Sequence, residues 1–143
     1  MNGNARITND TRVLVVDDNP TNLTLVSDLL GFAGYIVLKA QDAEEARMIL
    51  AQTVPDLILM DIALPGMDGL TLTRLLKADK RMRHTPIVAL TAFAMKGDDN
   101  KARDAGCDGY ITKPIDTRKF PEQVAGWLDA AMKRTATGGS ALT

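Results

Sequence analysis

Acidic side chains end two short apolar runs of the sequence, and no other pattern in the chain points as directly to chemistry. Asp17 and Asp18 follow the run Val13–Val16, and Asp61 follows the run Leu57–Met60. Runs this short and this apolar predict strands that are buried on both faces. Open α/β sheets place their functional groups at the carboxyl ends of the strands. Two acidic strand ends in one small domain therefore predict a site for a hard cation and a phosphoryl group.

The elements that must position these residues alternate along the chain. Strands are predicted at 13–16, 35–38, 57–60, 87–90 and 110–112. Helices are predicted between and after them, beginning near residues 20, 43, 69, 97 and 117. Asn19 and Asp68 are expected to cap the first and third helices, the third is expected to bury Leu72, Leu75 and Leu76, and the last is expected to end near residue 133. This order predicts an α/β fold: a doubly wound, five-stranded parallel sheet in the order 2-1-3-4-5, flanked by five helices.

That strand order makes the first and third strands neighbours, so Asp17, Asp18 and Asp61 are expected to converge. Three carboxylates at one point repel one another, and a divalent cation would remove the repulsion. Mg²⁺ prefers oxygen ligands and is usually held by carboxylates together with phosphate oxygens. Thr91 and Lys113, which end or follow the fourth and fifth strands, are expected at the same edge. An aspartate nucleophile beside a fixed ammonium and a metal ion suits phosphoryl transfer.

Four motifs, in this order along the chain, resemble the signature set of response-regulator receiver domains, the CheY-like domains of two-component systems. They are Val15-Val-Asp17-Asp18-Asn19, Leu59-Met-Asp61-Ile-Ala-Leu-Pro65 with Gly69, Ala89-Leu-Thr91-Ala92, and Tyr110-Ile-Thr-Lys113-Pro114. The resemblance spans residues 12–132. Within the family, the segment Thr91–Asp98 looks most like single-domain response regulators of the DivK type and like the receivers of hybrid histidine kinases.

The resemblance implies a phosphorylation site built around Asp61. Asp61 is expected to accept a phosphoryl group from a sensor histidine kinase or a histidine phosphotransfer protein. Asp18, Asp61 and the backbone carbonyl of Ala63 are expected to ligate Mg²⁺, and Asp17 is expected to orient metal-bound water. Lys113 is expected to pair with a phosphoryl oxygen.

The resemblance also implies a switch. Thr91 is expected to hydrogen-bond the phosphate while Tyr110 rotates inward, which would alter the face formed by helix four, strand five and helix five. The Lys113–Pro114 bond is expected to be cis, a geometry that an X–Pro bond tolerates. Neither Ala63 nor Phe93, two residues after Asp61 and Thr91, can act as a base, so slow self-dephosphorylation is a further hypothesis.

Composition excludes several classes of function. The chain has 143 residues, 45% apolar and 24% charged, with a net charge of −1, which gives no electrostatic reason to expect binding to nucleic acid or to an anionic membrane. We expect a cytoplasmic protein, because the chain shows no secretory signal and its one cysteine, Cys107, reads as a buried structural residue. Residues 1–11 and 134–143 are expected to be flexible tails around a receiver domain at 12–133.

Two alternatives to the single-domain response regulator remain open. A receiver excised from a hybrid histidine kinase would carry the same motifs. A haloacid-dehalogenase-type phosphatase is less favoured, because it needs a second acid two residues after Asp61, where Ala63 stands.

The sequence argues against two other classes. A nucleotide binder needs a glycine-rich loop after the first strand, where this chain has Asp17-Asp-Asn-Pro20, and a transcription factor needs a DNA-binding module, for which too few residues follow the last predicted helix. We therefore expect that the protein catalyses only its own phosphorylation and slow dephosphorylation. Its expected partners are a kinase, a phosphotransfer protein or a second copy of the chain.

Overall fold

The computed structural model describes residues 10–64, 66–91 and 98–142, and it describes their side chains except at 98, 99 and 133–142. Five parallel strands form a sheet in the order β2-β1-β3-β4-β5, which confirms the predicted order. The strands are β1 (Arg12–Val16), β2 (Ile36–Ala40), β3 (Leu57–Asp61), β4 (Ile87–Thr91) and β5 (Gly109–Thr112).

Five α-helices connect and follow the strands, and a short 3₁₀ turn, Lys80–Met82, precedes β4. The helices are α1 (Pro20–Phe32), α2 (Ala43–Leu50), α3 (Gly69–Ala78), α4 (Asp98–Ala105) and α5 (Phe120–Leu142). Side chains cap the first three as helix N-termini require: Asn19 accepts from the Asn22 amide, Asp42 from the Glu45 amide and Asp68 from the Thr71 amide. None of the described helices is long and apolar enough to cross a bilayer.

The register of the sheet brings the functional strand ends level with one another. Val16 pairs with both Ala40 and Met60, so β1, β2 and β3 end side by side. Asp61 in turn pairs with Leu90 of β4. The central strands β1, β3 and β4 are buried along nearly their whole length, with helices packed on both faces. Burial on both faces fixes the register, because a slipped strand would move its side chains to the wrong face.

Most predicted boundaries differ from the structure by one to three residues, and β2 and the end of the last helix are the differences with a structural reason. β2 begins at Ile36 and continues to Ala40, whereas the sequence predicted 35–38; Tyr35 is buried ahead of the strand, and pairing with β1 carries the strand on to Ala40. The sequence predicted that the last helix ends near residue 133, but the helix continues to Leu142. Residues 134–142 contain no proline, so every residue there keeps the backbone N–H that a helical hydrogen bond needs, although Gly138 and Gly139 weaken this part of the helix. The division into a receiver domain at 12–133 and flexible tails on both sides stays a prediction. Residues 1–9 lie outside the described part of the chain.

The prediction that Leu75 is buried is wrong. Leu75 is 47% exposed, while Leu72, Thr73 and Leu76 form the buried face of α3. The packing of α3 turns residues 72, 73 and 76 inward, and this orientation leaves residue 75 beside the buried stripe.

A cavity of about 470 Å³ lies at the edge of the sheet opposite the acidic strand ends. Thr11, which precedes β1, and Met132, near the end of the described side chains of α5, both line it. Thr11, where the chain enters the sheet, and Met132, in the later turns of α5, therefore lie on the same side of the domain.

Candidate functional site

Three carboxylates meet where β1 and β3 end. Oxygen atoms of Asp17, Asp18 and Asp61 all lie within 4.8 Å of one another. Asp17 is fully buried and its amide donates to the Ala40 carbonyl at 3.0 Å, so β2 holds the backbone of this residue. Asp61 is 4% exposed, whereas Asp18 faces solvent. The cluster is thus closed to solvent where it meets the sheet and open to solvent at Asp18.

Local backbone amides orient the two buried carboxylates. The Asn19 amide donates to Asp17 Oδ1 at 2.9 Å, and the Ala63 amide donates to Asp61 Oδ1 at 3.0 Å. Both are Asx-type contacts with an amide two residues further along the chain. The Oδ2 atom of each carboxylate is therefore directed toward the interior of the cluster.

Lys113 supplies the cation at this site. Its Nζ lies 3.1 Å from Asp17 Oδ2 and 3.4 Å from Asp61 Oδ2. Its amide donates to the carbonyl of Thr91 at 2.7 Å, and the following Lys113–Pro114 peptide bond is cis, as the resemblance implies. Residues from the ends of β1, β3, β4 and β5 are thereby joined at one edge of the sheet.

The donor set fits a divalent cation. Three carboxylates face one ammonium, which leaves a formal excess of two negative charges. Asp17 Oδ2 is a buried oxygen that makes no hydrogen bond within the described residues, and the ammonium of Lys113 contacts it only as an ion pair. An all-oxygen cluster with this charge suits Mg²⁺. Asp18 and Asp61 could hold such an ion together with the nearby carbonyl of Ala63, and Asp17 could orient a water on it.

The predicted switch residues occupy different environments. Thr91 is the last residue of β4 and is 4% exposed, next to the strand end that carries Asp61. Tyr110 in β5 is 45% exposed, so its ring faces outward. Phe93, which the hypothesis of slow dephosphorylation uses, lies outside the described residues. The structure thus brings Asp17, Asp18, Asp61 and Lys113 together, with Thr91 nearby, and leaves Tyr110 at the surface.

Gly69 approaches β3, the strand that ends at Asp61, in a way that the motif alone did not reveal. A Cβ atom at Gly69 would lie 2.7 Å from Ile62 Cα and 2.9 Å from the Asp61 carbonyl carbon, with the Asp61 carbonyl oxygen closer still. Only glycine permits this approach. The sequence showed a glycine at a helix start, and the distance to Asp61 depends on how α3 packs against β3.

The comparisons with known proteins agree with this geometry. Residues 13–125 match the family described as the response regulator receiver domain, so the chain belongs to that family. The chain is 44% identical over 119 residues to the polar-differentiation response regulator DivK of Brucella ovis, a match that covers 83% of this chain and 97% of the relative. The predicted resemblance to receiver domains, and to the DivK type among them, is confirmed.

Solved structures agree as well. The chemotaxis response regulator CheY4 of Vibrio cholerae superposes with a TM-score of 0.78 at 26% identity, covering 82% of this chain and 98% of that one. The receiver domain of a sensor histidine kinase from Pseudomonas aeruginosa superposes with a TM-score of 0.77 at 34% identity, covering 84% of this chain and 98% of that one. That structure is described with a magnesium ion coordinated in its active-site cleft.

Proposed function

We propose that the chain is a response regulator of the DivK type that accepts a phosphoryl group on Asp61 from a histidine kinase or a histidine phosphotransfer protein. The observation that carries this proposal is the meeting of Asp17, Asp18 and Asp61 with the ammonium of Lys113 at one edge of the sheet. The 44% identity to DivK favours this assignment over a receiver that belongs to a hybrid kinase. A phosphatase reading is weaker, because Ala63 cannot serve as the second acid.

The reaction transfers a phosphoryl group from nitrogen to oxygen. A carboxylate oxygen of Asp61 attacks phosphorus while the bond from phosphorus to the donor imidazole breaks, and the imidazole leaves with the electron pair. Two features prepare Asp61 for this step. The Ala63 amide fixes the orientation of the Asp61 carboxylate, and the burial of Asp61 keeps water away from the carboxylate on the side that faces the sheet. Positioning of this kind supplies most of the catalysis in phosphoryl transfer.

Mg²⁺, held by Asp18, Asp61 and the carbonyl of Ala63, would neutralise charge on the phosphoryl oxygens. Lys113 already stands 3.4 Å from Asp61 Oδ2, so its ammonium can exchange a carboxylate partner for a phosphoryl oxygen with little movement. Asp17 keeps Lys113 in place before the phosphoryl group arrives. In this proposal Asp18 and Asp61 hold the metal ion, Lys113 binds a phosphoryl oxygen, and Asp17 keeps Lys113 in position.

The signal would leave the site through Thr91 and Tyr110. Thr91 ends β4 beside the acceptor, and its hydroxyl is the group that would bond the new phosphate. Tyr110 is at the surface in this structure and would rotate inward, which changes the face of α4, β5 and α5. Such a switch biases a two-state surface by a local change of charge. A kinase, a phosphotransfer protein or a second copy of the chain would read that surface in the cytoplasm, and the phosphorylated form would hydrolyse slowly.

The direct test is intact-protein mass after incubation with acetyl phosphate. We expect the wild type to gain one phosphoryl group in Mg²⁺ and none in EDTA. Asp61→Asn should gain none, while the control Asp28→Asn, at an exposed acid on α1, should match the wild type. Modification of Asp61→Asn at the wild-type rate would contradict the assignment of the acceptor.

Metal binding can be tested without phosphorylation. A ligand at ten times its Kd stabilises the folded state by about 1.4 kcal/mol through mass action. We expect Mg²⁺ to raise the melting temperature of the wild type and of Asp28→Asn, and to have little effect on Asp18→Asn. An equal rise in Asp18→Asn would show that the ion binds elsewhere.

A further inference from the structure

We infer that Gly69 and Thr73 are positioning residues for the phosphoacceptor. Together they hold the first turn of α3 against the peptide that joins Asp61 to Ile62, and this contact sets the direction of the Asp61 carboxylate and of the loop that carries Ala63. The inference rests on the proposed function. It assigns a role to two residues that would contact neither the phosphoryl group nor the metal ion.

The peptides on both sides of Ile62 are held in place. In the Asp61–Ile62 peptide, the Ile62 amide donates to the Leu90 carbonyl of β4 at 3.2 Å. Gly69 lies so close to this peptide that a Cβ atom would overlap the Asp61 carbonyl, and its amide donates at 3.3 Å to the Ile62 carbonyl, which belongs to the Ile62–Ala63 peptide. Ile62 is therefore clamped between a neighbouring strand and the start of a helix.

This clamp acts on the carboxylate through one further bond. The Ala63 amide donates to Asp61 Oδ1 at 3.0 Å, and this amide belongs to the same Ile62–Ala63 peptide whose carbonyl accepts from Gly69. If Gly69 withdrew, the Ile62–Ala63 peptide would be free to turn, and the carboxylate would lose the bond that orients it. The carbonyl of Ala63, proposed as a metal ligand, belongs to the same short segment. One displacement would thus disturb both the acceptor and a metal ligand.

Thr73 stabilises the clamp from inside the helix. Its hydroxyl donates to the Gly69 carbonyl at 2.8 Å, and the residue is fully buried. Bonds of this kind from a threonine to the carbonyl four residues earlier bend a helix slightly and so influence its first turn. Cys107, in the loop before β5, approaches the same hydroxyl at 4.0 Å. This bond within α3 thus constrains the Gly69 carbonyl and the first turn of the helix.

Three variants test the inference. Thr73→Val removes the hydroxyl at nearly constant volume, Thr73→Ser keeps it, and Gly69→Ala forces the helix away from Asp61. We expect initial rates of phosphorylation by acetyl phosphate to fall about threefold in Thr73→Val and about a hundredfold in Gly69→Ala, the size of loss that a displacement near 1 Å produces. Thr73→Ser should stay within about twofold of the wild type.

Loss of stability alone must be separated from loss of position. Leu128→Ala, in the core on the other face of the sheet, serves as a destabilised control, and all rates are measured at a temperature where circular dichroism shows every variant folded. The Ala63 amide resonance in an ¹H–¹⁵N spectrum reports its bond to Asp61 without any activity. We expect this resonance to move in Gly69→Ala and Thr73→Val and to stay in place in Leu128→Ala and Thr73→Ser.

The outcomes are distinct for the two proposals. A wild type that neither binds Mg²⁺ nor gains a phosphoryl group refutes the proposed function, and the amide resonance still decides whether Gly69 positions Asp61. A wild type that is phosphorylated, together with folded Gly69→Ala and Thr73→Val proteins that match its rate and its Ala63 resonance, overturns the positioning role. Equal rate losses in Leu128→Ala would likewise assign the effect to stability and overturn it.

Discussion

The ammonium of Lys113 lies 3.1 Å from Oδ2 of Asp17, a buried oxygen that receives no hydrogen bond among the described residues. Burying a carboxylate beside two others is costly unless a cation accompanies it. Lys113 therefore stabilises the site before any metal or phosphate arrives. The same ammonium competes electrostatically with a metal ion for these carboxylates.

This competition predicts opposite effects of removing Lys113. In Lys113→Met we expect Mg²⁺ to bind about fivefold more tightly, a change of about 1 kcal/mol, because the ion no longer meets a fixed positive charge. The phosphorylation rate should fall, since no ammonium remains to pair with a phosphoryl oxygen. Isothermal titration calorimetry measures the first effect and intact mass the second. Lys119→Met, at an exposed position outside the cluster, should change neither, and weaker Mg²⁺ binding in Lys113→Met would contradict the competition.

The exposure of Tyr110 predicts a chemical signature of switching. The chain has two tyrosines, of which Tyr110 is 45% exposed and Tyr35 is 8% exposed. Tetranitromethane should therefore nitrate Tyr110 first. If Tyr110 rotates inward on activation, beryllofluoride with Mg²⁺ should slow its nitration several-fold and leave Tyr35 unchanged, as read by peptide mass spectrometry. Equal nitration of Tyr110 with and without beryllofluoride would show that this ring does not take part in the switch.

Cys107 predicts a specific dependence of stability on pH. Burial, the main cause, raises the pKa of the Cys107 thiol above its ordinary value of 9.0. The folded state therefore keeps the proton at a pH where the unfolded state loses it, so this contribution to stability is complete below the unfolded pKa and is lost as pH rises toward the folded pKa. The free energy of unfolding of the wild type should fall more steeply than that of Cys107→Ala between about pH 8 and about pH 10.

Denaturant titrations of the two proteins at each pH would measure this difference. Tyr35, whose pKa burial also raises, contributes equally to both proteins and cancels in the comparison. Parallel curves for the wild type and Cys107→Ala would contradict the predicted effect of the thiol.

The contact between Gly109 and Trp127 predicts a fluorescence change. A Cβ atom at Gly109 would lie 2.7 Å from both Nε1 and Cζ2 of the indole, so Gly109→Ala must displace the ring. Because Trp127 is the only tryptophan, its emission should shift to the red, and overpacking should cost about 1–3 kcal/mol. Gly126→Ala provides the control, because a Cβ there meets no atom within 4 Å and should stabilise α5 by about 0.5–1 kcal/mol. Unchanged emission in Gly109→Ala would show that the ring packs elsewhere.

The sheet and the acidic cluster could be predicted because their signals are local. Short runs of Val, Ile and Leu mark buried parallel strands, and the fixed strand order of such sheets then places Asp17 beside Asp61. Lys113 could be placed at the same edge for the same reason, because it follows a strand. Each of these inferences needs only the position of a residue relative to its own strand.

Features that depend on distances between elements could not be predicted. The spacing of leucines in α3 did not show that Leu75 lies beside the buried stripe, because that depends on where the helix packs. The approach of Gly69 to Asp61 is likewise a property of two elements. Tyr110 reads as a core residue by type, yet its position on β5 turns it to solvent.

The cavity shared by Thr11 and Met132 bears on how such a domain can be joined to others. The two residues lie at the pole of the sheet that is opposite the acidic strand ends. A fluorescent protein joined directly at either residue would therefore begin on the far side of the domain from Asp61. If residues 11–132 were inserted into a surface loop of a host protein, the two junctions would lie close together and would disturb the host little. Such a chimera would present the acidic edge of the sheet outward, away from its host.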